Sequence, residues 1–228
     1  MARIINAYDR ALNKINEQLL TMCKLVDQRL TQAMKALMEQ DEELAKEVVA
    51  GDDDIDLLDE KLEMGALELF SLQQPVDHDL RFLAATMRIG HELERIGDYA
   101  CDIAEIVLSS QSKDPYFKPL VDVPLMGELV KTMMNKSIKA YIKGEPQIAW
   151  ELDDDDWEVD DLFRRLLAEL TDYMKKGPEY VDQARNLLLV ARYLERIGDH
   201  IVNIAEMTIF SVSGERQPFK GRKDGMLK

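Results

Sequence analysis

The sequence predicts an all-α protein of two tandem three-helix bundles, six helices in an internal pseudo-repeat, packed side by side. Three observations predict it. Apolar residues recur at helical spacing along nearly the whole chain, as in Tyr8, Leu12, Ile15, Leu19, Met22 and Val26, which alternate steps of four and three. Among 228 residues, Gly and Pro number only 11 and 7 and aromatics reach 7%, too few turn formers for a β-sandwich of this length. The chain also repeats itself: Leu93-Glu94-Arg95-Ile96-Gly97-Asp98 returns as Leu194-Glu195-Arg196-Ile197-Gly198-Asp199, an offset of 101 residues.

Each element follows in order. The first helix carries the stripe beginning at Tyr8. A second segment is expected from about 42 to 72, stopped before Pro75, and a third from about 79 to 109 with Ile89, Leu93, Ile96, Ala100 and Ile103 as its apolar face. Pro115, Pro119 and Pro124 mark a linker at 113–124, which separates a first repeat at 1–112 from a second at 125–213. The second repeat is read as helices over about 125–143, 147–175 and 179–212, broken at Gly144 and at Gly177-Pro178. Residues 214–228 hold five basic and two acidic side chains and read as a loose basic tail. Repeats this few do not make a solenoid, so the halves are expected to pack against each other.

Charge narrows the function. With 29 Lys+Arg against 44 Asp+Glu the formal net charge is −15, the wrong sign for a nucleic-acid binder that works by counterion release. No signal peptide is visible and no apolar run approaches 18 residues, so neither export nor a membrane span is expected and the cytoplasm is the expected compartment. Cys23 and Cys101 lie inside helical patterns without CxxC spacing and read as buried, reduced thiols.

The acid excess is concentrated at 52–60 and 151–161. Asp52 and Asp56 stand four apart, as do Glu94, Asp98 and Asp102. The second repeat offers Asp156 with Asp160 and Glu195 with Asp199, but Asn203 where Asp102 would be. On heptad positions the Glu94 stripe points away from the core. Like charges at this spacing cost a helix about 0.2–0.5 kcal/mol per pair. One reading is a solvated acidic face with acids at helix starts, where the macrodipole favours them. The other is a cation site on each bundle, with one carboxylate pair from the second helix and one from the third. Hard oxygen ligands suit iron, magnesium, manganese or calcium. Recurrence of the E/D-xxx-D spacing twice in each half favours the metal. Gly97 and Gly198, mid-helix at about 1 kcal/mol relative to Ala, point to close approach of a neighbouring helix, with a hinge as the alternative.

Other chemistry is missing from the sequence. There is no GxxxxGK[ST] loop and no GxSxG elbow, and His91-Glu92-Leu93-Glu94-Arg95 has Arg where HExxH needs its second His. His200 reads as a packing residue, and Arg95 and Arg196 as partners of the Asp three residues on. The Met residues and Trp150 read as core or contact surface. Trp157, beside the acid run, is the odd one.

The doubled Leu-Glu-Arg-Ile-Gly-Asp, each copy preceded by an Asp-rich helix, resembles the PhoU family over roughly residues 5–213. The resemblance implies a cytoplasmic regulator of phosphate uptake that is not an enzyme. It would connect the ATPase subunit of the phosphate ABC transporter with a PhoR-type sensor histidine kinase and hold the phosphate regulon off. It implies a homodimer, with iron first among the ions and magnesium, manganese, calcium or zinc as others. Carried onto this chain, the first site would use Asp52, Asp56, Glu94 and Asp98, with Asp102 as an extra ligand, and the second Asp156, Asp160, Glu195 and Asp199. A metal-dependent phosphatase or hydrolase, and a metal-storing helical scaffold, are the other functions that carboxylates in this pattern could serve.

Overall fold

The computed structural model describes residues 7–73, 75–110 and 114–219. Every regular element in them is helical: α1 (Ala7–Glu39), α2 (Glu42–Ala50), α3 (Asp53–Gln73), α4 (Asp77–Ser109), α5 (Asp122–Lys143), α6 (Pro146–Lys176), a single 3₁₀ turn (Pro178–Tyr180) and α7 (Val181–Ser213). The expected second helix is interrupted, and counting α2 and α3 as one broken element restores the six. The break falls at Gly51, whose amide closes α2 on the Val48 and Val49 carbonyls. Asp41 caps α2 by accepting from the Glu43 and Leu44 amides, and the chain turns again at Gly51. A Cβ there would stand 1.9 Å from the Arg29 guanidinium, which crosses the turn to reach Asp54 Oδ2 at 3.3 Å.

The first bundle packs α1 against α2, α3 and α4, and the second packs α5, α6 and α7 together. They join side by side through α4 on α7 and α1 on α5. The predicted stripes form the core: Ile15, Leu19, Met22 and Val26 of α1 are buried, and Ile89, Leu93, Ile96, Ala100 and Ile103 of α4 are fully so. Burial of each large aliphatic side chain is worth about 1.5–3 kcal/mol, which far outweighs the like-charge cost on the acidic faces. Both cysteines are free and buried. Tyr141 of α5 links the halves, with its hydroxyl bonded to the Phe82 carbonyl and to Thr86 at 2.7 and 2.6 Å.

Helix α5 starts at Asp122, inside the stretch read as linker, and Pro124 falls in its first turn, where no amide bond is lost. The linker before it is tied down. The Tyr116 hydroxyl donates to the Leu37 carbonyl at 2.7 Å, Lys118 pairs with Glu169 at 2.5 Å, and Phe117 packs on the Tyr173 ring. Of the tail, residues 214–219 fold back on α7: the Phe219 amide donates to Glu206, and its ring meets Trp150 edge-on. The rest of the tail, 220–228, lies outside the described residues.

Candidate metal centre

Helix α3 lies along α4 after a short turn, and two glycines let it come close. A Cβ on Gly97 would sit 2.8 Å from Ile55 Cδ1; one on Gly90 would sit 2.6 Å from Asp59 Oδ1 and 2.7 Å from Leu62 Cδ2. Gly90 and Gly97 are seven apart, so they form one smooth strip on α4. Close approach therefore accounts for Gly97, and no hinge is needed. The spacing Gly-x₆-Gly is the sequence signal for this seam, but the repeated hexamer contains only its second glycine.

The approach brings Asp56 of α3 beside Glu94 and Asp98 of α4. One oxygen from each lies within 4.8 Å of the others, the one such group of three acidic, His or Cys side chains among the described residues. These carboxylates do not point outward as their heptad positions suggested. Asp56 is exposed, but Glu94 and Asp98 are half-buried because α3 covers their side of α4. A heptad reading orients a helix toward one neighbour, and α4 has several.

The electrostatics are those of carboxylates without enough cations. Burial, then repulsion from Asp98, raises the pKa of Glu94. Burial likewise comes first for Asp56 and Asp98, followed for Asp56 by Asp52. For Asp98 the Arg95 guanidinium, 2.7 Å away, works the other way. Glu94 Oε2 is buried and makes no hydrogen bond, though His91 Nδ1 lies 3.4 Å off. A buried carboxylate oxygen without a donor, beside two more carboxylates, fits a hard cation such as iron, magnesium, manganese or calcium. Glu195 Oε2 of the second repeat is buried in the same way, so it is the convergence of three carboxylates that sets this place apart from a solvated acidic face.

Asp52 and Asp102 are outside the trio. Asp52 Oδ1 accepts from the Cys101 thiol at 3.2 Å, and both residues add negative potential at Asp98. Burial and the Asp52 contact push the Cys101 pKa up, away from nucleophilic use. Sequence reasoning gave Asp59 and His91 no part in the site, yet His91 borders Glu94 and its Nδ1 lies 3.9 Å from Asp59 Oδ2.

In the second repeat, Asp156, Asp160, Glu195 and Asp199 do not form a group of that closeness. Ala191 stands where Gly90 stands, Arg192 replaces His91 and Phe163 replaces Asp59. Arg192 grips Glu195 Oε1 at 2.7 Å, and Glu195 is buried. Asp156 leans over Gly198, where a Cβ would be 3.0 Å from its Oδ1. Asn203, the departure from Asp102, is engaged elsewhere. Together with His200 it bonds the buried Glu92 of the first repeat, at 3.1 and 2.6 Å. Arg196, expected to serve the Asp three residues on, lies in the field of that Asp199 and also donates across the same interface to the Tyr99 hydroxyl at 3.2 Å. Of the acid run, Asp155 is held by Lys136 of α5 at 2.9 Å, a neutralisation by tertiary contact that sequence could not show.

A doubled three-helix bundle with a carboxylate seam between two helices of its first repeat defines the class: an all-helical tandem-repeat protein with a candidate cation site on one bundle. Residues 19–107 and 123–208 each match the model of the PhoU domain, so the chain belongs to the PhoU family. It is 34% identical to a phosphate-specific transport system accessory protein PhoU homolog of Zymomonas mobilis, over 98% of this chain and 94% of that one. A homolog of the same description from Aquifex aeolicus is 38% identical over 90% of this chain and 93% of its own length. The crystal structure of PhoU from Pseudomonas aeruginosa superposes with a TM-score of 0.86 at 29% identity, covering 91% of this chain and all of that one. That of the phosphate transport system regulatory protein PhoU from Streptococcus pneumoniae does so with a TM-score of 0.85 at 26% identity, over 92% and 99% of the two chains.

Proposed function

We propose that this chain is a regulatory accessory protein of phosphate transport that works by binding, not by catalysis. The observation that carries the reading is the match along both repeats to accessory proteins of phosphate-specific transport. Its partners in this reading are the ATPase subunit of the phosphate ABC transporter and a PhoR-type sensor histidine kinase, and the working form is a cytoplasmic homodimer. Among the described residues no helix is long and apolar enough to cross a membrane, which agrees with contact through partners.

In this reading Asp56, Glu94 and Asp98 hold a metal ion, iron first, with Asp52 and Asp102 supplementing its field. The second-repeat set of Asp156, Asp160, Glu195 and Asp199 holds a weaker one. A bound ion would supply positive charge that relieves repulsion along the α3–α4 seam and stiffens a surface for partners. The residues do the rest: Arg95 steadies Asp98, and the Cys101 thiol fixes Asp52. A hydrolase would need a site that excludes water around an activated nucleophile. Asp56 instead opens directly to solvent.

The test is genetic and biochemical. Deleting the gene should leave phosphate-regulated genes on at high phosphate, and the purified chain should bind both the transporter ATPase and the kinase's cytoplasmic part. Failure to bind either partner sinks the adaptor reading. Phosphomonoester cleavage that depends on Asp98 would replace it with the hydrolase.

A further inference from the structure

The outer side of the first bundle carries an apolar groove of about 840 Å³ between α1 and α3. Tyr8, Ala11 and Ile15 form its α1 wall, and Met64, Leu67 and Leu72 its α3 wall. The three α3 side chains are 59%, 43% and 67% exposed, a concentration of open apolar surface in a protein of net charge −15. The corresponding positions of the second repeat are Ala168, Thr171 and Lys176. The apolar rim therefore belongs to the first repeat and is not a requirement of the bundle.

Gly65 is the second observation. It lies mid-helix on the groove wall, where glycine is a poor helix former. Gly90 and Gly97 are forced by the packing of α3, but a Cβ at Gly65 would meet only Gln18 Oε1 at 3.7 Å and Ile15 Cγ1 at 3.8 Å, ordinary contacts. Nothing in the chain's own packing demands glycine there. A segment from outside that approaches the α3 backbone closely would. The second repeat again differs, with Glu169 at this place held by Lys118 of the linker.

Charge says what kind of segment. Lys14 and Lys61 line the groove, both exposed, and outnumber Glu68, the one acidic residue of its lining, although α3 as a whole is strongly acidic. We infer that the α1–α3 groove receives an amphipathic helix of a partner protein, its apolar face against Met64, Leu67 and Leu72 and its acidic flank toward Lys14 and Lys61. Two helices lying side by side present a trough of helical width, which favours a helix over an extended strand. A helix seated in the groove meets only its lining, where Lys14 and Lys61 outnumber Glu68, whereas a broad anionic lipid surface would also meet Asp59, Glu60 and Glu63 of the same helix, and a second copy would bring its own large negative charge.

The inference rests on the regulatory reading only in supposing that a partner exists. The test uses neither transporter nor kinase, so its failure leaves that reading standing. Fluorescence anisotropy would follow the full-length chain binding a synthetic helix of about 18 residues, past the length at which isolated helices are marginal. The peptide carries Leu at i, i+3, i+4 and i+7 with Glu on both flanks. Gly65→Leu, which fills the groove floor, should weaken binding at least about tenfold. The double variant Lys14→Glu/Lys61→Glu should do the same, and a Lys-flanked peptide should recover binding on that variant. Met64→Lys, at an exposed site, gives the groove-blocking result even if Gly65→Leu folds poorly. Equal affinity for wild type and variants, or no recovery on charge reversal, overturns the inference. So does sedimentation showing that Met64→Lys turns a dimer into a monomer, which assigns the groove to a second copy. Binding to phosphatidylglycerol vesicles that Met64→Lys abolishes would assign it to lipid and overturn it equally.

Discussion

The two repeats share a helix plan and a hexamer motif, yet they treat the same carboxylates differently. In the first, Gly90 and Gly97 draw α3 onto α4, and Glu94 faces Asp56 and Asp98 with His91 beside it and Arg95, which is paired to Asp98, adding a weaker favourable field. In the second, Ala191 replaces Gly90, and Glu195 is engaged by the permanently charged Arg192. A Cβ and a guanidinium separate a seam of three converging carboxylates from one whose charge is already partly met. A duplicated ligand motif is thus not a duplicated site, because the neighbours decide how close the ligands come and what they cost one another.

The interface between the repeats shows the same divergence. By the offset of 101 residues, Glu92 corresponds to Tyr193 and Tyr99 to His200. One pairing is a stack of Tyr99 on Tyr193 with ring centroids 5.7 Å apart; its counterpart is the buried Glu92–His200 contact, with Asn203 added. An aspartate at 203 would face Glu92 directly, which explains the amide at this place. These bonds hold the Glu92 pKa below the usual carboxylate range against the opposing effect of burial, whereas the α3–α4 carboxylates are pushed up.

The largest expected effect lies in metal affinity. Glu94→Gln with Asp98→Asn should lower it by about a hundredfold, roughly 2.7 kcal/mol, in titration monitored by elemental analysis. Glu195→Gln with Asp199→Asn should lower it far less. Comparable losses would show that the halves are equivalent after all. Next, Gly90→Ala with Gly97→Ala should cost about 1–3 kcal/mol by denaturant unfolding, because the new methyls meet Ile55, Asp59 and Leu62. Gly198→Ala, whose methyl is tight only against the movable end of Asp156 and meets Val159 at ordinary distance, should be close to neutral.

His200→Ala should cost about 1.5 kcal/mol at neutral pH by leaving Glu92 buried without its main partner. Because the folded-state pKa of Glu92 is depressed, its contribution is present above the unfolded carboxylate pKa and is lost as pH falls through the folded one. Glu92→Gln should flatten that acid limb, as urea unfolding at a series of pH values would show. The smallest effect has the opposite sign. Glu94 has a raised pKa, so in metal-free protein its penalty is present above that pKa and relieved as pH falls through it. Glu94→Gln should therefore stabilise the metal-free protein at neutral pH by about 0.5 kcal/mol. Destabilisation instead would mean that Glu94 has favourable partners that repulsion from Asp98 does not outweigh.

Much of this was legible in the residues. Periodicity gave the helices and their buried faces, since a stripe from Ile89 to Ile103 leaves one low-energy way to bury itself. Repetition gave two halves, and i, i+4 spacing gave the carboxylate pairs. The break at Gly51 was hidden because Arg29, whose guanidinium fills the space beside that glycine, is 22 residues away in sequence on another helix. The outward orientation of Glu94 and Asp98 failed because a heptad describes contact with one partner, and α3 comes in from the side.

By itself the sequence determined the helical fold, the doubling, the family and the candidate ligands, because each is written in local spacing or direct repetition. Only the tertiary structure decided that Asp56, Glu94 and Asp98 converge while Asp52 turns to Cys101, and that Asn203 and His200 serve Glu92 across the interface. The reason is physical. Helical periodicity fixes which side of a helix a residue occupies, but electrostatic energy depends on distances of a few ångströms between helices. Those distances were set by glycines, an arginine and a histidine whose effects are felt only once the helices pack.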